Sequence, residues 1–192
     1  MMHPFRQFIH NYTPFSNADW ASVERCLVRM EVKKDTILLQ EGKICRHLYF
    51  LESGLLRFFI LKNGNDITKY FTDIPYCFTS IKSFEAQIPA TESIETLEDT
   101  VLWAMSLDDV QSLQKLSAWN IFTRKLIQEV QTYTDEILEE MQTETAENRY
   151  RTMLSNNDPL LQRVPLKHLA SYLGIAPQSL SRIRKSVLSK RT

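Results

Sequence analysis

The sequence predicts an α+β protein: an N-terminal antiparallel β-roll of jelly-roll type, one long helix, and a C-terminal all-α helix-turn-helix domain. Three observations carry this. Short strands punctuated by Gly42, Gly54 and Gly64 fill the stretch after Lys33. An apolar stripe runs at alternating steps of three and four residues from Thr123 to Ile137. The string LKHLASYLGIAPQSLSRIRKS, Leu166 to Ser186, has the apolar spacing of two short helices turning at Gly174. The implied domains are 1–115, 116–145 for the long helix, and 146–192.

The first 30 residues read as helix. Ser16 or Asn17 can cap a segment whose Trp20, Val23, Leu27 and Met30 fall at helical spacing. The segments DTILLQEG, HLYFLESG, LLRFFILKNGND and ITKYFT then alternate with turns, as in a small barrel or roll. The stretch from Asp73 to Thr91, with Pro75 and Pro89, reads as loop, and SIETLEDTVLWAMS returns to strand. Ser106 with Asp109 three residues on is a capping box that opens a long helical region. Within it Leu126, Val130, Tyr133 and Ile137 continue the seam from Thr123. Such a stripe can pack on the roll, and its length favours a two-stranded dimer helix. ENRYRTMLSNN forms a further short helix after a break near residues 143–148.

The chain of 192 residues has a formal net charge of zero. That total averages two opposite parts: from Asn148 onward there are nine basic residues and one acid, and before it fourteen basic and twenty-two acidic. A basic C-terminal domain on an acidic body suggests a polyanion partner. Cys26, Cys45 and Cys77 lack disulfide or zinc spacing, and His3, His10, His47 and His168 are dispersed. No metal cluster or nucleophile–base pair emerges, so neither enzymatic activity nor a cofactor is expected. The apolar runs are too short to span a membrane and the N-terminus lacks the pattern of a signal peptide, so a cytoplasmic location is expected.

The helix-turn-helix string divides by chemistry. Ala170 is small where two helices cross, and Gly174 supplies the positive-φ turn. Leu169, Leu173, Ile175, Leu180 and Ile183 face inward. Pro177 suits a first helical turn, whereas Ala176 is a poor N-cap. Gln178 and Arg182 then share an exposed edge at i and i+4, with the chemistry to pair adenine and guanine edges. Lys167, Ser179, Ser181, Arg184 and Lys185 suit phosphates, which position a protein without specifying sequence.

On these residues the chain resembles the Crp/Fnr family of bacterial transcription regulators. The likeness runs through QEGKICRHLYFLESGLLRFFILKNGNDITKYF, the dimer helix and VPLKHLASYLGIAPQSLSRIRKS. It implies a cyclic-nucleotide-binding-type roll that senses a small molecule, a homodimer, an inverted-repeat operator in double-stranded DNA, and RNA polymerase as a further candidate partner. Of the family's Arg, Glu and Arg base readers only the last is present: the positions hold Pro177, Gln178 and Arg182. The family's wing after the second helix is not evident, since only seven residues follow Lys185. Phosphate contacts would then fall to the helices and to Lys190 and Arg191.

The family's phosphate-binding Gly-Glu and Arg-Ser pairs correspond here to Thr79-Ser80 and Glu92-Ser93. A carboxylate where a cyclic phosphate needs a cation repels it, so cyclic AMP binding is not expected. Phe78 and Lys82 complete the candidate effector pocket, whose ligand the sequence does not name. Two rivals remain at this level: a small-molecule-binding or interaction protein with a vestigial helix-turn-helix, and a cupin-class enzyme.

Overall fold

The computed structural model describes residues 2–156 and 158–189. The chain forms two compact units, Met1–Phe58 with Phe71–Gln131, and Phe59–Tyr70 with Thr132–Thr192. The division falls inside the long helix and not at either of its ends.

In the first unit, helix α1 (Pro4–His10) starts with a proline and is capped by His3, whose Nδ1 accepts the Phe5 N–H at 3.1 Å. Helix α2 (Asn17–Glu24) has a complete capping box of Ser16 and Asp19. The helix expected to reach Met30 stops at Glu24, because Val28–Val32 forms strand β1, registered against β8 from Val28↔Ala104 to Val32↔Thr100. Backbone pairing with a strand seventy residues downstream overrides the local helical spacing.

Strands β2 (Ile37–Leu39), β3 (His47–Ser53), β4 (Leu56–Lys62) and β5 (Asn65–Thr72) fall where the glycine-punctuated segments placed them. The stretch read as loop contains strand β6 (Tyr76–Phe78) and helix α3 (Ile81–Ala86). Strands β7 (Ser93–Thr96) and β8 (Thr100–Ser106) complete two four-stranded sheets, ordered β1-β8-β3-β6 and β2-β7-β4-β5. Residue Gly54, between β3 and β4, has φ +119° beside Thr100. The capping box at Ser106 and Asp109 opens α4 (Leu107–Leu113), and the long helix α5 spans Ser117–Thr143.

The core of this unit is aromatic. Phe5, Phe8, Phe15 and Trp20 pack with Phe50 of β3 and with Trp119 and Phe122 of α5. The Phe5 and Phe50 rings lie 4.8 Å apart, and Tyr12 meets Phe122 at 5.4 Å. Phe5, Phe50 and Phe122 are fully buried, each contributing about 1.5–3 kcal/mol. Lys125 Nζ donates to the Tyr12 carbonyl at 2.5 Å, and the Tyr12 hydroxyl hydrogen-bonds Glu129. Burial and that carboxylate together push the Tyr12 phenol well above its ordinary pKa. The N-terminal arm thus fastens the first half of α5.

The second unit holds the hairpin residues 59–70, the end of α5, and helices α6 (Ala146–Ser155), α7 (Leu160–Arg163), α8 (Leu166–Tyr172) and α9 (Pro177–Ser189). Thr145 caps α6 by accepting the Asn148 N–H at 3.2 Å. Its buried residues include Leu169, Ala170, Leu173, Leu180 and Val187, with Tyr150 closing one side. No described helix is long and apolar enough to cross a membrane.

Candidate nucleic-acid interface

The turn between α8 and α9 is built by one residue. Gly174 has φ +73°, and the Ile175 N–H reaches the Ala170 carbonyl at 3.0 Å while the Gly174 N–H reaches that of Ser171, also at 3.0 Å. This paired closure is a Schellman motif, which a Cβ at Gly174 would strain. Ala170 is fully buried, as a close helix crossing requires. Pro177 is the first residue of α9, and the Ser179 and Leu180 N–H groups bond the Ala176 carbonyl. The Ala176 side chain offers those first amides nothing. Ala176→Ser is therefore expected to stabilise this unit by about 1 kcal/mol, read as a raised midpoint of thermal unfolding.

Gln178, Arg182 and Lys185 are exposed along α9, and Lys167 is exposed at the start of α8. Ser179 and Ser181 are half-buried beside them. Arg184 is turned elsewhere: its guanidinium lies 5.9 Å from the Tyr150 ring and donates to the Leu161 carbonyl at 3.4 Å. The tail Lys190 and Arg191 lies outside the described residues.

Two features of this unit escaped the sequence. Arg149, 95% buried, stacks on Tyr172 at 5.1 Å and stands 3.8 Å from the Glu140 carboxylate, so it ties α6 to α8 and to the end of α5. Ser171, the last residue but one of α8, bonds the hairpin: it accepts the Thr68 N–H at 2.9 Å and donates to the Asp66 carbonyl at 3.0 Å. Nothing in the local pattern pairs positions more than a hundred residues apart.

The helix α5 carries two apolar lines. Leu126 packs on the aromatic cluster, Val130 and Ile137 are half-buried, and Tyr133 is 53% exposed. Ile127, Leu138 and Met141 are more than half exposed on a second line, rotated by roughly a quarter turn at 100° per residue. The more open stripe is thus neighbour to the heptad seam, not the seam itself.

The candidate effector residues are largely engaged within the first unit. Thr79 donates to the His47 carbonyl at 2.9 Å, and Ser93 accepts the Glu41 N–H at 2.9 Å. Ser80 is buried at the start of α3, Glu92 is buried and Lys82 is exposed. Phe78 stacks on Tyr49 at 5.1 Å and meets Phe58 edge-on at 5.7 Å. Burial pushes the Tyr49 phenol up to about 12. Ser83 and Gln87, not anticipated, wire α3 to the strand-leading segment: Ser83 accepts the Cys45 N–H at 2.8 Å, and the Gln87 amide donates to the Cys45 carbonyl at 3.2 Å. Gln87 ends α3 at φ +50°.

Residues 29–116 match the family model described as the cyclic nucleotide-binding domain. No curated protein matches the chain. Among solved structures, it is similar to a putative transcriptional regulator of the Crp/Fnr family from Eubacterium rectale, with 20% identity, 94% of this chain and 88% of that one covered, and a TM-score of 0.72. It also resembles the c-di-GMP responsive global regulator CLP of Xanthomonas campestris, at 14% identity, 91% and 93% coverage and a TM-score of 0.69. A third likeness is to FixK2 from Bradyrhizobium japonicum, at 17% identity, 85% coverage of each chain and a TM-score of 0.67. These likenesses establish the fold.

Proposed function

We propose that this chain, which carries a cyclic nucleotide-binding domain on the fold of Crp/Fnr regulators, is a homodimeric, sequence-specific DNA-binding transcriptional regulator. The observation that carries the reading is the exposed edge of α9, where Gln178 and Arg182 stand one turn apart on a helix fixed by the Gly174 turn. Arg reads guanine O6 and N7, and Gln reads adenine N6 and N7, both in the major groove. Lys167 and Lys185 supply phosphate contacts, with Ser179 and Ser181.

A homodimer follows from the apolar surface left on α5. Ile127, Leu138 and Met141 share one face of the helix, and the seam of Leu126, Val130, Tyr133 and Ile137 runs beside it. Pairing two such helices covers both and sets two recognition helices about 34 Å apart, on successive major grooves. The operator is then an inverted repeat. RNA polymerase is the partner that a regulator so placed would contact.

The sensing domain does not respond to cyclic AMP in this reading. The hydroxyls of Thr79 and Ser93 are engaged with the backbone, and aromatic rings of Tyr49, Phe58 and Phe78 pack together in the roll; by the family resemblance, the buried Glu92 corresponds to a position where a cyclic phosphate needs a cation. The protein binds rather than catalyses.

Selection of bound sequences from random duplexes tests the proposal. An inverted repeat with half-sites one helical turn apart is the expected enrichment. Recovery of no repeat at low or moderate salt, from protein that sediments as a dimer, would leave an interaction protein with a vestigial reading head.

A further inference from the structure

The contact of Ser171 with the β4–β5 hairpin has no part in reading DNA as described above. One hydroxyl uses both its roles on one partner: it accepts the Thr68 N–H at 2.9 Å and gives its own proton to the Asp66 carbonyl at 3.0 Å. Thr68 is 4% exposed. A backbone donor and a backbone acceptor two residues apart on β5 therefore grip the end of α8.

The position of that grip matters. Ser171 is four residues after Lys167, so the two share an edge of α8. That edge carries the exposed lysine assigned to phosphate. In a helix-turn-helix the first helix crosses the DNA backbone, so a phosphate met by Lys167 would lie on the same edge of α8 as Ser171. The hairpin residue that accepts the Ser171 proton is Asp66, through its backbone carbonyl.

We propose that residues 65–68 of the hairpin form a removable guard on the DNA-facing edge of α8, latched by Ser171, so that the hairpin and the DNA backbone compete for the first helix of the reading head. This rests on the DNA-binding reading and adds its regulation. The latch consists of two neutral hydrogen bonds on one side chain, which is weak enough to release when DNA or a rearrangement of β5 draws the hairpin away. Sensing then needs no ligand in the reading head: any event that shifts β5 along its length changes access to α8.

Two variants of the full chain test it, using the inverted repeat recovered with wild-type protein, or, if none is recovered, a selection repeated with Ser171→Ala. Ser171→Ala removes both hydrogen bonds and leaves Lys167, Gln178 and Arg182 in place. It is expected to bind the operator about three- to tenfold more tightly. Thr68→Cys combined with Ser171→Cys puts thiols on the two residues whose backbone N–H and side-chain oxygen now stand 2.9 Å apart, and a disulfide between them, verified by loss of free thiol, closes the guard. The oxidised protein is expected to bind at least about tenfold more weakly than the same sample after reduction. Because one preparation supplies both states, misfolding does not imitate the result. Binding by Ser171→Ala alone, without any by wild type, supports the guard. Equal affinity of locked and reduced protein, or weaker binding by Ser171→Ala, overturns the guard while leaving the DNA-binding reading intact. Binding by neither wild type nor Ser171→Ala overturns both.

Discussion

Gly54→Ala is expected to destabilise the roll by about 3 kcal/mol or more. A Cβ there would overlap the Thr100 Oγ1, far inside van der Waals contact, and would lie 2.8 Å from its Cβ and 2.9 Å from its Cα. Thr100 cannot retreat: it is 2% exposed, pairs with Val32 across β1 and β8, and donates its hydroxyl to the Glu98 carbonyl at 2.8 Å. The backbone adds its own cost, because φ +119° is rarely open to a residue with a side chain. Gly42→Ala is the control. It has a positive φ of +83° but open space where the Cβ would go, so only the conformational cost of about 1 kcal/mol applies. Urea unfolding of the two variants should separate them clearly. Equal midpoints would show that the Thr100 contact relaxes freely.

On DNA, the largest expected effect comes from Arg182. Arg182→Ala should cost about 1–3 kcal/mol on the preferred operator, which is roughly five- to 150-fold in affinity, and should relax preference at one base pair in each half-site. Lys185→Ala should weaken binding to all sequences alike and reduce the slope of log affinity against log salt by about one. Both side chains are exposed on α9, three residues apart, so their difference lies in what they meet and not in their burial. Titrations of the operator and of a scrambled duplex at several salt concentrations distinguish them. A uniform loss for both variants would mean that Arg182 contacts phosphate.

The helix-turn-helix was legible because its signals are local. A buried Ala170, a positive-φ Gly174 and inward leucines all act within a turn or two of their own position. The four strands after Lys33 were legible for the same reason. Arg184 was not: its spacing on α9 allowed an outward reading, but the Tyr150 ring, thirty-four positions earlier, gives the guanidinium a face to stack on. The β6 strand and α3 hid behind two prolines and a run without clear period. The heptad on α5 was real as a pattern, yet periodicity does not say which face is already taken. Leu126 is claimed by aromatic residues from the first twenty positions, and the open stripe lies to one side. The first helix was read too long, since only β8 decides that Val28 to Val32 extend.

The aromatic clasp between the N-terminal arm and α5 also sets an order of events during synthesis. Phe5, Phe8 and Tyr12 find their partner Phe122 only after more than a hundred further residues have been made. At about 5–20 residues per second, those rings leave the ribosome roughly 5–20 seconds before the surface they cover exists. Strand β1 waits about two thirds as long for β8. The emerging chain therefore carries these aromatic rings unprotected while the residues up to Phe122 are made. Such long-range closure slows folding and leaves apolar surface open to aggregation while it waits, whatever the finished protein's stability.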